Sequence, residues 1–462
     1  DIFLKKQKHS LCPLQNDIII KKQQIFDENR KDFGLFFTPE WVVDFMVNLV
    51  PEEIFLRNEP ITILEPACGL AQFLLKILHK IKEKNLNVKT RLIGVEINEE
   101  VLAWLNPLKP KETEIIKADF LLFEPKIFFD LVIGNPPYGI PSLSEHYTIK
   151  VDNETKEKYR ALFSTWYGKY NIYGAFIEKS IRLLKDNGIL IFIIPATFML
   201  LDEFKKLRTF LSQNGKTTII YMGPDIFKPD ADVSTVILKF IKSEKISRQL
   251  ELFEYKEGEI IPIKSNKNWN GEIVTFRTDF SDFLESICQY KVADIYEIKI
   301  SPRTSEIKNC SFVVRGDEPP GKNYLPILNS RNLKSGGIIY ENLTGYWVAK
   351  SNIKKLRAYF GSPHIVVGLG FRENGRIAAA IDEKCYPWMG DVYHLLRRND
   401  LLIQEFDLSD DEVVEYLNSE YVKRYIKDIY REITYHLSIT QVKNIPLPNK
   451  KEWEEIKKYG YK

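Results

Sequence analysis

Cysteine is scarce in this sequence, and the cysteines that occur are far apart. Only five are present among 462 residues, and no two of them form a CxxC pair. Neither a zinc site nor a dense disulfide framework is therefore indicated, and no metal site is predicted. We expect a reduced, intracellular protein. The five residues are Cys12, Cys68, Cys288, Cys310 and Cys385.

Long apolar runs and a strong excess of one charge are also missing. No stretch reaches the roughly 18 apolar residues that cross a bilayer, and the N-terminal DIFLKKQKHS is mixed and polar. We therefore expect neither a membrane span nor a signal peptide. Lys and Arg number 66 against 63 Asp and Glu, which leaves a net charge of +3. A charge this close to neutrality does not by itself indicate a nucleic-acid partner.

Hydrophobic residues make up 44% of the chain and charged residues 28%, a balance typical of globular proteins. Between residues 61 and 241, short runs rich in branched apolar residues alternate with helical patterns. This alternation predicts an α/β domain with a mostly parallel, seven-stranded sheet that is covered by helices. The predicted strands are residues 61–65, 91–96, 114–118, 129–135, 188–195, 217–222 and 234–240.

Two amphipathic helices are predicted between these strands. The run QFLLKILHKIKEK places Phe73, Leu74, Ile77, Leu78 and Ile81 on one helical stripe. The run AFIEKSIRLLKDNG repeats the pattern and is expected to end at Gly188. The polar stretch 242–249 follows the last strand, and later runs are shorter and less regular. We therefore predict two domains, 1–245 and 246–462, the second of a different, mixed α/β architecture.

Acidic residues stand at the ends of the first two predicted strands. Glu65 ends the first strand just before PACGL and a helix, and Glu96 ends the second. Open α/β sheets bind ligands at the carboxyl ends of their strands, where an acidic residue often holds ribose hydroxyls. Two carboxylates here suit a positively charged nucleoside but would repel a pyrophosphate. The alternatives are an ordinary tight turn at Gly69 and a solvated carboxylate at Glu96.

Asp119 and Phe120 follow the third predicted strand. Together they offer a hydrogen-bond acceptor and an aromatic ring, which recognition of adenine by hydrogen bonding and stacking requires. Asp119 on its own is equally compatible with a helix cap or a turn.

The tetrapeptide Asn135-Pro136-Pro137-Tyr138 follows the fourth predicted strand and is a specific signal. Its prolines fix the backbone, so the Asn135 side-chain oxygen and the Pro136 carbonyl can both accept protons from one amino group. Such a clamp draws the nitrogen lone pair out of conjugation and makes a poor nucleophile reactive. Tyr138 adds an aromatic face for the planar group that carries the nitrogen.

Several motifs occur in an order that resembles the gamma group of adenine-N6 DNA methyltransferases, and its TaqI-like members most closely. They extend over about residues 34–240 and are FTPEWVVDFMV, EPACG, GVEIN, ADF, NPPY, YNIYGAFIEKSIRLLKDNGILIFIIPATF and IFKPDADVSTVIL. A weaker similarity lies at HLSITQVKNIPLP, residues 436–448. The resemblance implies a Rossmann-like, S-adenosylmethionine-dependent catalytic domain in 1–245 and a DNA target-recognition domain in 246–462.

The resemblance also implies roles for single residues. S-adenosylmethionine would lie across the strand ends, in a pocket lined by Thr38, Glu65, Ala67, Glu96, Asp119, Phe120 and Pro137. Asn135, Pro136 and Tyr138 match the catalytic motif, and Phe227 matches the position whose ring stacks on the other face of a flipped adenine. The implied partners are double-stranded DNA and a cognate restriction endonuclease acting on the same site. A monomer in the cytoplasm of a prokaryotic cell, on DNA, is expected.

The second domain is expected to make most of the contacts with DNA. Candidates are Arg331, the run 350–357, Arg372 with Arg376, and Tyr435-His436, each of which is also compatible with a solvated surface. The aromatic and basic stripe of EYVKRYIKDIYREITY is interpreted as core packing. Two other functions stay open, because the NPPY clamp also suits a protein glutamine amide, and a non-catalytic DNA-binding module can retain the same fold. No nuclease-like acidic cluster is recognised, so DNA cleavage is not expected.

Overall fold

The computed structural model describes residues 37–107, 109–143, 149–228, 231–368, 377–399, 405–431, 433–434 and 436–459. The chain forms two compact units, Asp1–Val274 and Thr275–Lys462. Among the described residues, no helix is long and apolar enough to cross a membrane. The candidate DNA contacts Arg372, Arg376 and Tyr435 lie outside the described residues.

A nine-stranded sheet forms the centre of the first unit. Its strands are β1 (Ile61–Pro66), β2 (Thr90–Glu96), β3 (Thr113–Lys117), β4 (Phe129–Gly134), β5 (Leu184–Pro195), β6 (Gly215–Gly223), β7 (Thr235–Lys242), β8 (Leu250–Lys256) and β9 (Glu259–Asn266). They are arranged in the order β3-β2-β1-β4-β5-β7-β6-β8-β9. The strands from β3 to β5 pair in parallel, whereas β7 is antiparallel to both β5 and β6.

The first seven strands lie close to their predicted positions, and the predicted α/β class is confirmed. Their near-continuous apolar character reflects burial on both faces: every residue of β4 is buried. The sequence did not predict β8 and β9, which extend the sheet because β8 pairs in parallel with β6 and β9 pairs with β8. The first compact unit continues to Val274, beyond the expected boundary after residue 245.

Helices of the first unit connect these strands. They are α1 (Glu40–Asn48), α2 (Gln72–Glu83), α3 (Glu99–Leu105), α4 (Asn153–Leu162), α5 (Tyr173–Leu183) and α6 (Lys205–Asn214). The predicted stripe of α2 is confirmed, because Phe73, Leu74, Ile77, Leu78 and Ile81 are all buried. Short 3-10 helices occur at Glu52–Leu56, Ala196–Met199 and Asp202–Phe204.

The predicted end of the second amphipathic helix is wrong. Helix α5 ends at Leu183, and Leu184 already pairs with Phe129 of β4 in the sheet. The turn is made instead by Asn187, whose φ is 60°. Gly188 lies in the strand, where an added Cβ would meet the Lys185 carbonyl oxygen at 2.8 Å. The glycine is therefore needed for close approach rather than as a helix stop.

The second unit is a mixed α/β structure built on small antiparallel sheets. Its strands are β10 (Tyr290–Lys291), β11 (Tyr296–Ile300), β12 (Val313–Arg315), β13 (Tyr324–Pro326), β14 (Leu333–Lys334), β15 (Gly337–Ile338), β16 (Tyr346–Ala349), β17 (His364–Gly368), β18 (Ala379–Asp382), β19 (Val392–Arg397) and β20 (Pro446–Leu447). Four of them form a sheet in the order β11-β19-β17-β18, and three form one in the order β12-β16-β13.

Helices of the second unit are α7 (Asp279–Ile287), α8 (Val292–Ile295), α9 (Thr304–Lys308), α10 (Asp410–Leu417), α11 (Glu420–Tyr430), α12 (Ile439–Lys443) and α13 (Lys450–Tyr459). Its 3-10 helices are Ser330–Asn332 and Lys350–Lys355. In α11 the residues Tyr425, Ile426, Ile429 and Tyr430 are buried, which confirms that its aromatic stripe packs in the core.

Candidate functional site

The carboxyl ends of the parallel strands border one cavity of about 430 Å³ in the first unit. Parallel pairing places the ends of β1, β2 and β4 side by side, and the residues that follow them reach the same space. Nine of the predicted site residues line this cavity. They are Thr38, Glu65, Ala67, Glu96, Asp119, Phe120, Asn135, Pro136 and Pro137.

The loop between β1 and α2 has an unusual backbone. Ala67, Gly69 and Ala71 have φ angles of 53°, 52° and 54°, in the left-handed region. This conformation costs an L-residue with a Cβ roughly 1 to 2 kcal/mol. In this conformation the Gly69 N–H donates to Glu96 Oε2 at 2.8 Å. A hydrogen bond therefore links the loop to the end of β2 at the cavity wall.

Both strand-end glutamates are held by backbone donors. Glu96 accepts from the N–H groups of Gly69 and Asn98, each at 2.8 Å, and Glu65 accepts from the Leu74 N–H at 3.1 Å. Burial raises the pKa of Glu65 to about 8, against its backbone hydrogen bonds. Burial likewise raises the pKa of Glu96. Glu96 is buried, so it is not the solvated carboxylate of the alternative interpretation, and Glu65 is buried as well.

Asp119 lies beside aromatic rings at the end of the cavity formed after β3. Its Oδ1 accepts from the Leu121 N–H at 2.9 Å, and its Oδ2 accepts from the Tyr159 hydroxyl at 2.6 Å. The Phe120 ring is buried, with its centroid 5.1 Å from that of Phe176. This part of the cavity combines oriented acceptors with flat apolar walls, which suits a heteroaromatic ring that carries an amino group.

The NPPY segment is held from two sides. The Asn135 Nδ2 group donates to Thr38 Oγ1 at 3.1 Å, so the FTP segment orients the amide and Oδ1 is its acceptor atom. After the segment, the Gly139 N–H donates to Asn171 Oδ1 at 2.9 Å. Asn135, Pro136 and Pro137 line the cavity, whereas Tyr138 does not.

Tyr138 and Phe227 form a pair outside the lining of this cavity. Both are buried, and their ring centroids are 6.1 Å apart with an interplanar angle of 74°. The Tyr138 hydroxyl donates to the Ile193 carbonyl oxygen at 2.8 Å. The two rings therefore contact each other edge to face in this structure, rather than facing each other across an open slot as a sandwich around a base would require.

Several residues of the cavity were missed by sequence reasoning. Phe37, Tyr159 and Phe176 supply aromatic walls, and Ile149 and Val151 come from the segment that leads into α4. A signal for Tyr159 is present in the sequence. Helix α4, NETKEKYRAL, is highly polar, and Tyr159 is its one buried residue.

Two of the described DNA candidates in the second unit make local contacts, and others are exposed. Arg331 donates to the Leu343 carbonyl oxygen at 2.6 Å, and Arg357 pairs with Glu306 at 3.0 Å. The run 350–357 forms the 3-10 helix Lys350–Lys355, whose Lys354 and Lys355 are exposed. His436 is exposed as well. None of these contacts identifies a base-reading residue.

Two protein families match successive parts of the chain. Residues 59–227 match the family described as Eco57I restriction-modification methylase. Residues 325–447 match the TaqI-like C-terminal specificity domain. The first match contains the strand ends and the NPPY segment, and the second lies within the second compact unit.

Two curated relatives match this chain over different lengths, and the match to the first covers nearly the whole chain. The type II methyltransferase M.TthHB8I of Thermus thermophilus is 37% identical over 438 residues, which are 93% of this chain and 95% of that protein. The type II methyltransferase M.HincII of Haemophilus influenzae is 31% identical over 226 residues. That second match covers 48% of this chain and 39% of the relative, so it spans less than half of either.

Solved structures share the fold at low sequence identity. A nuclease-deletion mutant of the type ISP restriction-modification enzyme LlaGI aligns with 96% of this chain and 56% of its own, with a TM-score of 0.58 and 15% identity. The type IIL restriction-modification enzyme MmeI aligns with 95% of this chain and 68% of its own, with a TM-score of 0.51 and 14% identity. The first unit has the class I S-adenosylmethionine-dependent methyltransferase fold, and a C-terminal specificity domain follows it. With these matches, the chain belongs to the type II restriction-modification DNA methyltransferases that use S-adenosylmethionine.

Proposed function

We propose that this methyltransferase modifies the N6 amino group of adenine in double-stranded DNA, as the gamma-group and TaqI resemblance implies, and that the target base is rotated out of the duplex. The observation that carries the proposal is the placement of Asn135, fixed by Thr38, on the same cavity as the strand-end residues Glu96 and Asp119. An amide acceptor at the cofactor cavity suits an exocyclic amino group.

The cavity fits S-adenosylmethionine. Its volume of about 430 Å³ lies in the range of small-molecule pockets. We assign Glu96 to the ribose hydroxyls, because its two oxygens are oriented by Gly69 and Asn98, and Asp119 with Phe120 to the adenine. Thr38, Glu65, Ala67 and Pro137 complete the lining. When bound, the cofactor supplies an electrophilic methyl group.

We assign the clamp on the target nitrogen to Asn135 and Pro136. The Asn135 Oδ1 and the Pro136 carbonyl oxygen accept the two protons of the amino group, which weakens conjugation of the nitrogen lone pair with the ring. The interaction strengthens as the nitrogen becomes tetrahedral and positive. It therefore stabilises the transition state more than the bound substrate, and its loss should reduce turnover rather than affinity.

Tyr138 and Phe227 are proposed to stack on the two faces of the flipped adenine. Because their rings now meet edge to face at 6.1 Å, at least one ring has to turn before a base can lie between them. Tyr138 is tied to Ile193 by its hydroxyl, so Phe227 is the ring that we expect to move. Stacking of a base on an aromatic ring contributes about 1 to 3 kcal/mol.

The matched specificity domain favours DNA over a protein glutamine amide as the substrate. The unpairing and unstacking of the target base costs a few kcal/mol, and phosphate contacts made elsewhere offset that cost. We assign those contacts to the second unit. We propose as its partner a restriction endonuclease that acts on the same DNA site. We also propose that the methyltransferase acts as a monomer.

Asn135→Ala tests the proposal. Single-turnover methylation should fall by two orders of magnitude or more, on the order of 3 kcal/mol, while the Kd for DNA changes little. Thr38→Val is the matched variant, because it removes only the hydroxyl that orients Asn135 and should cause a smaller loss. Sequencing of the methylated DNA, with base modifications detected at each position, identifies the modified base. Fluorescence of 2-aminopurine at the target position reports base rotation.

Near-normal methylation by the folded Asn135→Ala protein would overturn the assigned clamp. Methyl groups found on cytosine alone would overturn the adenine assignment and leave the family unaffected. Replacement of Phe227 by Ala should reduce quenching of the 2-aminopurine, and replacement by Trp should preserve it.

A further inference from the structure

We infer that Tyr159 is a positioning residue for the cofactor: its hydroxyl holds the Asp119 carboxylate in the orientation that recognises the 6-amino group of the cofactor's adenine. This inference rests on the proposed placement of that adenine at Asp119. It adds Tyr159 to the site, a residue that lies outside the motifs, on helix α4.

The contact between Tyr159 and Asp119 is short and sheltered. The hydroxyl lies 2.6 Å from Asp119 Oδ2, and Tyr159 is only 4% exposed. Burial is the main cause that raises the pKa of Tyr159, and its hydrogen bond to Asp119 adds to the rise, so the hydroxyl keeps its proton and acts as the donor. Tyr159 also lines the cavity, so its ring and its hydroxyl both act at the ligand space.

Helix α4 has no other buried residue that could account for its placement. Of its ten residues only Tyr159 is buried, and the Tyr159 ring lies 6.3 Å from that of Trp166. Asp152 caps the N-terminus of this helix, and its side chain accepts from the Thr155 N–H at 2.8 Å. A polar helix fixed by one aromatic side chain is thus used to bring a single hydroxyl donor to a strand-end carboxylate.

The hydrogen bonds of Asp119 leave it able to accept from a ligand. A carboxylate offers about four acceptor positions, two on each oxygen. One on Oδ1 is used by the Leu121 N–H and one on Oδ2 by the Tyr159 hydroxyl. These two donors, one from the backbone and one from α4, together fix the plane of the carboxylate. The positions left on both oxygens can accept from an amino group, and they gain nothing from a purine that lacks one.

Binding selectivity without DNA tests the inference. The probes are S-adenosylhomocysteine and its analogue with purine in place of adenine, titrated calorimetrically into the full-length protein. Tyr159→Phe should weaken binding of S-adenosylhomocysteine roughly three- to tenfold, the loss expected for one hydrogen bond. Binding of the purine analogue should change much less. The ratio of the Kd of the purine analogue to the Kd of S-adenosylhomocysteine should therefore fall towards one.

Tyr170→Phe is the matched control. Tyr170 is a buried tyrosine of the same aromatic cluster, 5.2 Å from Trp166 between ring centroids, and its hydroxyl bonds to Thr165 at 2.7 Å rather than to Asp119. Its removal should leave the ratio unchanged, even where it lowers stability. A double variant with Asp119→Ala, which removes both acceptor oxygens, completes a cycle in which the Tyr159→Phe effect on the ratio should disappear.

The possible outcomes separate this inference from the proposed function. An unchanged ratio in Tyr159→Phe, together with a ratio close to one in Asp119→Ala, would overturn the role of Tyr159 alone. An unchanged ratio in Asp119→Ala would overturn the placement of adenine on which the inference rests. Neither result depends on which DNA base is methylated, because no DNA is present in the titration.

Discussion

Burial sets the chemistry of the carboxylates at the strand ends. The sequence predicts Glu65 and Glu96 as a pair suited to a positively charged nucleoside. In the structure both are buried and their pKa values are raised, that of Glu65 to about 8. Without a cation nearby, Glu65 is therefore largely protonated at neutral pH, and a positively charged ligand would favour its ionised form.

Glu65→Gln should stabilise the ligand-free protein at high pH. The folded pKa of about 8 lies above the ordinary value of 4.5, so the folded state holds a proton that the unfolded state releases. The free energy of unfolding therefore falls as the pH rises from 4.5 through 8. The amide mimics the protonated acid, so the variant should exceed the wild type by on the order of 2 to 4 kcal/mol at pH 9 and differ little at pH 5.

Urea denaturation at the two pH values measures this difference. Glu59→Gln provides the control, because it also removes a carboxyl group, but one that is exposed rather than buried. A Glu65→Gln protein with the same pH dependence as the wild type would show that burial does not shift the Glu65 carboxyl in the way described.

At this scale the sequence predicts residues at strand ends well and contacts between distant residues poorly. Asp119 was found because it follows a recognisable strand and stands before an aromatic residue. Its donor Tyr159 lies 40 positions away, on a polar helix whose sequence has no apolar stripe that would place it against the sheet. The edge-to-face contact of Tyr138 and Phe227 could not be predicted either, since motif order does not specify the angle between rings.

The loop between β1 and α2 shows strain at the scale of a single element. Ala67 and Ala71 both take left-handed φ angles, although only Gly69 does so without steric cost. Ala71 directly precedes α2 and is buried, whereas Ala67 lines the cavity. Strain of this kind is common at ligand sites, where the surrounding structure enforces it.

Ala71→Gly should cost less than the same change in a helix. Both Ala71 and Ala175 of α5 are buried, so each change removes one buried methyl group. At Ala71 the change also relieves the left-handed strain, whereas in α5 it adds the penalty of a helical glycine. We therefore expect Ala71→Gly to be less destabilising than Ala175→Gly by about 1 to 2 kcal/mol.

Thermal and urea unfolding of the two variants give the comparison. Equal losses would mean that the φ of 54° at Ala71 carries no strain. A larger loss at Ala71 would mean that packing of its methyl group outweighs the backbone effect.

Helices and strands of the first unit were predictable where the apolar residues follow one helical or strand pattern along the whole element. The stripe of α2 and the near-continuous apolar runs within β4 and β5 are of this kind. The end of α5 was not, because Leu183 and Leu184 continue the helical pattern while the backbone of Leu184 already pairs with Phe129. Strand β9 was missed because its residues 259–262 are exposed, so its sequence has no buried face to detect.

On the scale of the whole molecule, the division of the chain differs from the sequence-based boundary. Residues 246–274 belong with the nine-stranded sheet, through pairing of β8 with β6 and through the buried Leu250, Leu252 and Trp269. The Arg208 guanidinium adds a further tie, since its Nε donates to the Gly271 carbonyl oxygen at 3.1 Å. The change in composition at residues 242–249 marks the connection from β7 to β8, which lie on opposite sides of β6 in the sheet, and not the end of the compact unit.

Two fragments test where the first unit ends and what it does alone. The fragment 1–274 should fold cooperatively and bind S-adenosylhomocysteine with an affinity close to that of the full chain, because every residue assigned to the cofactor lies within it. The fragment 1–245 should aggregate, because β6 becomes an open edge strand and the partners of Leu250, Leu252 and Trp269 are exposed. Gel filtration, circular dichroism and calorimetric titration separate the two.

Neither fragment should methylate DNA at a detectable rate. Under the proposed function, the cost of rotating the base out of the duplex, a few kcal/mol, is then no longer offset by the contacts that we assign to residues 275–462. Methylation by the fragment 1–274 at the rate of the full chain would show that the grip on DNA lies in the first unit. A soluble, cofactor-binding fragment 1–245 would instead show that β8 and β9 are dispensable, and that the boundary near residue 245 describes the catalytic unit after all.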